Sequence, residues 1–223
     1  MSVDYAALYA DHDAMANHWW WRPGWQVGTR FYAWHITQDD HPEVAQLVER
    51  YQAALADVPT LDPVPPQWQH MTLQGVGHVE DITDDDAARV IDAVAHRLAG
   101  FPAISTTYQR AHIFREAIAL PPSDPEAFTA LRDAIRNGIK DALGDVSETR
   151  EGFRAHVSVA YSNGEANAAS IRKALDAVQP DAPVMAQYGQ VSLIRMHRDH
   201  RMYQWNTTRT VMLGVPREFD DTP

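Results

Sequence analysis

The sequence predicts an α+β fold built by duplication of one unit, and three observations carry that prediction. Short runs of alternating apolar and polar residues, the period of half-buried strands, are separated by longer stretches with helical periodicity. The elements run strand, helix, strand, helix, two strands, helix, strand, helix, two strands, so the second half repeats the plan of the first. In each half one strand carries a histidine, an apolar residue, a hydroxyl residue and another apolar residue: His70-Met71-Thr72-Leu73 and His156-Val157-Ser158-Val159. A pseudo-two-fold relation between the halves would bring those strands together.

Residues 4–18 are expected to be helical, with Tyr5, Leu8, Tyr9 and Met15 at helical spacings, and Pro23-Gly24 stops any helix. Trp19, Trp20, Trp21 and Trp25 follow closely on one another. They read as an arm pinned to the domain by aromatic surface, the commoner use of such side chains, or as a stacking platform for bases. Residues 27–37 form the first strand. Residues 42–57 form an amphipathic helix with Val44, Leu47, Val48, Tyr51 and Leu55 on one stripe. Pro63-Val64-Pro65-Pro66 is an irregular connection into the His70 strand, which ends at Gly75-Val76-Gly77.

The second helix spans residues 84–98. Asp84, Asp85 and Asp86 suit the positive end of its dipole, Val90, Ile91, Val94 and Leu98 line its buried face, and Gly100 closes it. Residues 101–108 and 111–120 are two tightly joined strands. Residues 125–143 are a third helix, with Phe128, Leu131, Ile135, Ile139 and Leu143 in line and Gly144 as its stop. After the His156 strand come a helix over 167–178 and a hairpin of residues 185–196 and 201–213, with Arg198-Asp199-His200 near the turn. The division expected is an arm over 1–27, one domain over 28–215 and a loose tail over 216–223.

The 223 residues suffice for a sizeable core. The chain has no cysteine, which excludes disulfides, a thiol nucleophile and cysteine-based metal sites, and which fits a reducing cytoplasm. Neither a signal peptide nor a membrane span is expected. A net charge of −11 with pI near 5.3 argues against a binder of long duplex nucleic acid, but leaves room for a small phosphorylated ligand held by a few arginines.

Successive strand side chains face opposite ways, so His70 and Thr72 share one face while Met71 and Leu73 share the other; His156 and Ser158 repeat this against Val157 and Val159. Cleaving a phosphodiester near neutral pH needs one group to take a proton from the attacking oxygen and one to give a proton to the leaving oxygen. Two imidazoles can fill both roles. The two hydroxyls can donate to the phosphoryl oxygens as charge builds. A lone His-x-Thr is a weak signal, and His35-Ile36-Thr37 is a third copy at a fraying strand end before Gln38-Asp39-Asp40. His35 lines the same cleft from the first strand or is simply exposed. Two histidines with no Asp or Glu in either motif make a poor metal site, whereas His35, His70 and His156 together would suit zinc; that is the competing metal reading.

The paired motifs, the Gly75-Val76-Gly77 after the first and the closing strand pair with Tyr203 and Val211-Met212-Leu213 resemble the 2H phosphoesterase superfamily over residues 28–215. This is the LigT-like group, which includes 2′-5′ RNA ligase-like proteins and cyclic phosphodiesterases. The resemblance implies a bilobal fold of two antiparallel sheets facing a central cleft with helices outside. It implies cofactor-free, metal-independent chemistry on 2′,3′-cyclic phosphates, ADP-ribose cyclic phosphate or 2′-5′ linkages. Carried over, His156 is the base activating water, His70 is the acid, and Thr72 and Ser158 hold the phosphate. Such proteins often have an arginine three residues after the second hydroxyl, where this chain has Tyr161. A phenol can stack on a base or donate a hydrogen bond but carries no fixed positive charge. Arg154 shares the strand face of His156 and either supplies that charge or is a solvated rim residue. The partners implied are a small nucleotide or cyclic phosphate and, less directly, RNA termini. The competing readings are a non-catalytic nucleotide-binding module on the same fold and an RNA ligase forming 2′-5′ bonds.

Overall fold

The computed structural model describes residues 4–178 and 182–214; the tail expected from Pro216 lies outside the described residues. In chain order the elements are α1 (Tyr5–Leu8), β1 (Ala14–Met15), β2 (Phe31–Thr37), α2 (Pro42–Ala54), β3 (Leu61–Pro63) and β4 (His70–His78), with a 3-10 turn at Pro66–Trp68. Then follow α3 (Asp84–Leu98), β5 (Ile104–Tyr108), β6 (His112–Ile113), β7 (Ala117–Leu120) and α4 (Pro125–Leu143). The chain continues with β8 (Val157–Ser162), β9 (Ala166–Asn167), α5 (Ala168–Ala177), β10 (Val184–Tyr188), β11 (Gln190–His197) and β12 (Gln204–Met212).

Two four-stranded antiparallel sheets dominate, one in the order β12-β11-β2-β4 and the other β3-β8-β7-β6. Each contains one histidine-motif strand, at the edge in the first sheet and inside the second. The α+β class and the antiparallel sheets expected for a LigT-like fold are therefore present.

The helices start and stop where local chemistry dictates. Thr83 caps α3 by accepting from the Asp86 N–H, and Asp86 returns the bond to the Thr83 N–H, each at 3.1 Å. Asp124 and Pro125 open α4, and Gly144 closes it in the left-handed conformation, φ 84°. The two helices cross closely because Gly138 has no side chain: a Cβ there would lie 2.8 Å from the Val94 Cα. Gly138→Ala is therefore expected to destabilise the fold by about 1–3 kcal/mol, seen as a lower urea midpoint with an unchanged slope. Helix α4 also fixes the first histidine strand: buried Arg132 donates through Nε to the Leu73 carbonyl at 3.0 Å and through its other nitrogens to the Arg150 and Thr149 carbonyls.

Several boundaries differ from expectation. The helix expected over 4–18 ends at Leu8. The His12 N–H donates to the Ile113 carbonyl, Asp11 accepts from the Ile113 N–H, and Ala14–Met15 pair with Ala166–Asn167. Aspartates 11 and 13 flank this stretch, and short acidic side chains draw the backbone away from helix. The strand pair expected at 101–108 and 111–120 does not form: β5 pairs with the distant β10, and the second run breaks at residues 114–116 into β6 and β7. Gly189 divides the strand expected over 185–196 into β10 and β11. The connection at residues 63–66 contributes part of β3, an edge strand, where Pro63 lacks a donor without cost to the sheet. Among the described residues no helix is long and apolar enough to cross a membrane.

Candidate active site

The site begins with the alternation of β4 and β8. Met71 and Leu73 are buried on one side of β4, and Val157 and Val159 on one side of β8. Their neighbours His70, Thr72 and Ser158 line a single cleft of about 720 Å³, joined by His156 from just before β8. These four residues, 84 or more positions apart from one motif to the other, therefore meet in one cavity.

Both imidazoles are anchored in the same way. The His70 Nδ1 lies 2.8 Å from the Trp68 carbonyl oxygen, and the His156 Nδ1 lies 2.6 Å from that of Arg154. A carbonyl only accepts, so each Nδ1 carries the proton and Nε2 is left to meet a ligand. Burial pushes the His70 imidazole down to about 4, against the pull of the Trp68 carbonyl and with some help from His156. Burial also pushes His156 down to about 4, opposed by the Arg154 carbonyl and assisted by the Arg154 cation. Both rings are neutral at neutral pH.

His35 occupies neither of its expected places. It is fully buried behind the cleft, with its ring stacked on His70 at 4.4 Å and 2°. Its Nε2 lies 3.2 Å from the Thr72 hydroxyl, its cross-strand partner, while its buried Nδ1 has no hydrogen-bond partner among the described residues. A bare lone pair is cheaper to bury than an unmet N–H. The proton therefore sits on Nε2 and is donated to Thr72, whose own hydroxyl proton is free to turn toward the cleft. Two rings stacked face to face cannot aim their in-plane nitrogens at one ion, which removes the geometric basis for a zinc site on His35, His70 and His156.

Arg154 lines the cleft with its guanidinium 4.0 Å above the Phe114 ring, whose edge meets His156 at 5.1 Å. Among the described residues it has no ion-pair partner, so its charge is available to an anion. Tyr161 is only 4% exposed and forms a packed wall against Trp19, with its phenol interacting with Ser158. Burial raises its pKa, so it stays protonated.

The sequence patterns gave no site role to His18, Glu116 or Phe31, which also line the cleft; Trp25, from the possible stacking platform, and Tyr203, from the closing strand pair, line it too. Trp25 and Phe31 lie 5.4 Å apart and give the cleft an aromatic end. Of the other arm tryptophans, Trp19 is buried and donates to Asp62 at 2.8 Å, while Trp20 and Trp21 are exposed. The packing use expected for the arm therefore holds for Trp19. No spacing signal pointed to His18, whose partners lie far along the chain.

A family model described as the 2′-5′ RNA ligase superfamily matches residues 38–200. No curated protein matches the sequence. Among solved structures, TT0787 of Thermus thermophilus aligns with a TM-score of 0.62 and 17% identity over 85% of this chain and 100% of that one. E. coli LigT complexed with 3′-AMP aligns with a TM-score of 0.64 and 14% identity over 83% of this chain and 98% of that one. At these identities the likeness is one of fold.

Proposed function

The chain belongs to the 2′-5′ RNA ligase superfamily, and from that footing we propose that it is a metal-independent phosphoesterase opening a 2′,3′-cyclic phosphate, or a related small cyclic phosphodiester such as that of ADP-ribose. The observation that carries this reading is the pair of imidazoles in one cleft, each with Nδ1 tied to a backbone carbonyl and each accompanied by a hydroxyl. The LigT structures complexed with 3′-AMP, ATP and NADP+ support a small nucleotide as the ligand class.

In this scheme water attacks phosphorus and its proton passes to the His156 Nε2. The bond from phosphorus to the 3′-oxygen breaks, and that oxygen takes the proton from the His70 Nε2. The product is a 2′-phosphomonoester with a free 3′-hydroxyl. The Arg154 cation beside His156 favours the neutral ring a base requires. The charge that presses on His70 is only that of His156, which is neutral in its base form, so an incoming phosphate anion raises the proton affinity of His70 toward the acid form. Thr72 and Ser158 donate to the phosphoryl oxygens, and Arg154 adds positive charge.

The test is hydrolysis of 2′,3′-cyclic AMP with product analysis. Turnover is expected to be unchanged by a chelator such as EDTA. Thr72→Val and Ser158→Ala are each expected to lower kcat by about 10²-fold. Loss of activity on chelation, restored by added zinc, would point to metal catalysis instead. A non-catalytic nucleotide-binding module is the competing reading, favoured by Tyr161 standing where an arginine is common; calorimetric binding of 2′-AMP with no turnover of any cyclic phosphate would establish it.

A further inference from the structure

The N-terminal arm carries His18 into the cleft, and the groups around it form a directed hydrogen-bond chain. The arm is firmly tied there. The His18 N–H donates to the Ser162 carbonyl at 2.8 Å, and its own carbonyl accepts from buried Arg198 at 3.0 Å. The His18 ring stacks on Tyr161 at 4.4 Å. Its Nδ1 faces the Glu116 Oε2 at 3.3 Å, without the alignment of a full hydrogen bond, and its Nε2 meets the Tyr203 hydroxyl at 3.1 Å.

The direction of the chain follows from proton counting. Burial holds His18 down to about 3, with Arg22 and Arg198 pushing the same way, and Arg22 at 3.2 Å meets the charge of the same Glu116 Oε2, so the ring is neutral and has one proton. A lone pair turned on a carboxylate would be repelled, so that proton is on Nδ1. Nε2 is then an acceptor, and Tyr203 must donate to it. Having used its only proton, the Tyr203 oxygen meets the cleft as an acceptor alone. It is unsuited to phosphoryl oxygens, which also only accept, and suited to a ligand hydroxyl. Tyr203 lines the cleft with its ring 6.2 Å from that of His70, on the side where the leaving oxygen would receive its proton.

We propose that Tyr203 is a product-binding residue that accepts a hydrogen bond from the sugar hydroxyl which ring opening frees beside the phosphate, with His18 and Glu116 as positioning residues that fix its polarity. The inference rests on the function proposed above and names the feature of the ligand that this side of the cleft reads. The arm, expected as an appendage over residues 1–27, is on this account part of the ligand site.

The experiment compares calorimetric binding of 2′-AMP with that of 3′-deoxyadenosine 2′-phosphate, which lacks the vicinal hydroxyl. The wild type is expected to prefer 2′-AMP by about tenfold, and Tyr203→Phe to bind the two equally. His18→Phe, which keeps a ring to stack on Tyr161, is expected to lose most of the preference, and adding it to Tyr203→Phe should cost nothing more. In the ¹⁵N-histidine spectrum of the free protein, His18 is expected as the Nδ1–H tautomer. Equal binding of the two ligands by the wild type, a preference kept by folded Tyr203→Phe, or an Nε2–H tautomer at His18 each overturns the inference while leaving the phosphoesterase reading intact. A wild type that neither binds 2′-AMP nor turns over 2′,3′-cyclic AMP defeats that reading, and this inference with it.

Discussion

Replacing either His70 or His156 by alanine is expected to lower turnover of 2′,3′-cyclic AMP by about 10³-fold or more, because each ring is assigned a separate proton transfer in one step. Each ring is also a buried or half-buried packing element, so alanine risks a folding defect that would mimic lost chemistry. Asparagine separates the two effects. Its amide nitrogen can replace Nδ1 as donor to the Trp68 or Arg154 carbonyl, while nothing replaces Nε2. Both asparagine variants should keep near wild-type thermal stability and lose activity to the same degree. The double variant should be little worse than either single one, since the rings act as a unit. Substantial turnover in both asparagine variants would remove the two-histidine mechanism.

Acidification should destabilise the protein well before its carboxylates titrate. His18, His35 and His70 are all below 10% exposed and all have pKa values depressed by burial, to about 3, well below the ordinary value, and about 4 respectively. In the unfolded chain each regains an ordinary value near 6.5. Below pH 6.5 the unfolded state therefore binds more protons than the native one, and stability falls with pH. The stability is complete above about pH 6.5 and is lost as pH falls toward the folded values. Each group contributes at most about 1.4 kcal/mol per pH unit in that window. The measurement is urea unfolding at pH 7.5, 6.5, 5.5 and 5.0, above the range where carboxylates dominate. His35→Gln should flatten the slope by about one proton's worth. A flat profile across this window would mean that these imidazoles are protonated in the folded protein.

The long, capped elements were legible in the sequence because their signals are local. The stripe from Phe128 to Leu143 and its Gly144 stop appear as α4, and the aspartate-rich start of α3 appears with Thr83 as its cap. The histidine motifs were legible because a strand's two-residue period fixes which side chains share a face. What the sequence left open was which strands are neighbours. Alternation in residues 104–108 says that the segment is a strand, but its partner begins at Val184. The same limit hid His18, which is 185 positions from Tyr203, and the place of His35, whose strand lies beside that of His70 so that one ring stands behind the other. Burial of Tyr161 by Trp19 was equally a product of distant packing.

The matching carbonyl anchors on His70 and His156 have a kinetic meaning. The two anchors present the rings alike, and it is the Arg154 charge beside His156 that distinguishes them. In the proposed reaction, by detailed balance, the ring that deprotonates water in ring opening must protonate it again on closure, and the other ring must activate the sugar oxygen. An alcohol seated where water enters would travel the same route and leave as an ester. On this geometry the choice between cutting and joining lies with the occupant of the nucleophile's position, and bulk water weights that choice toward cutting.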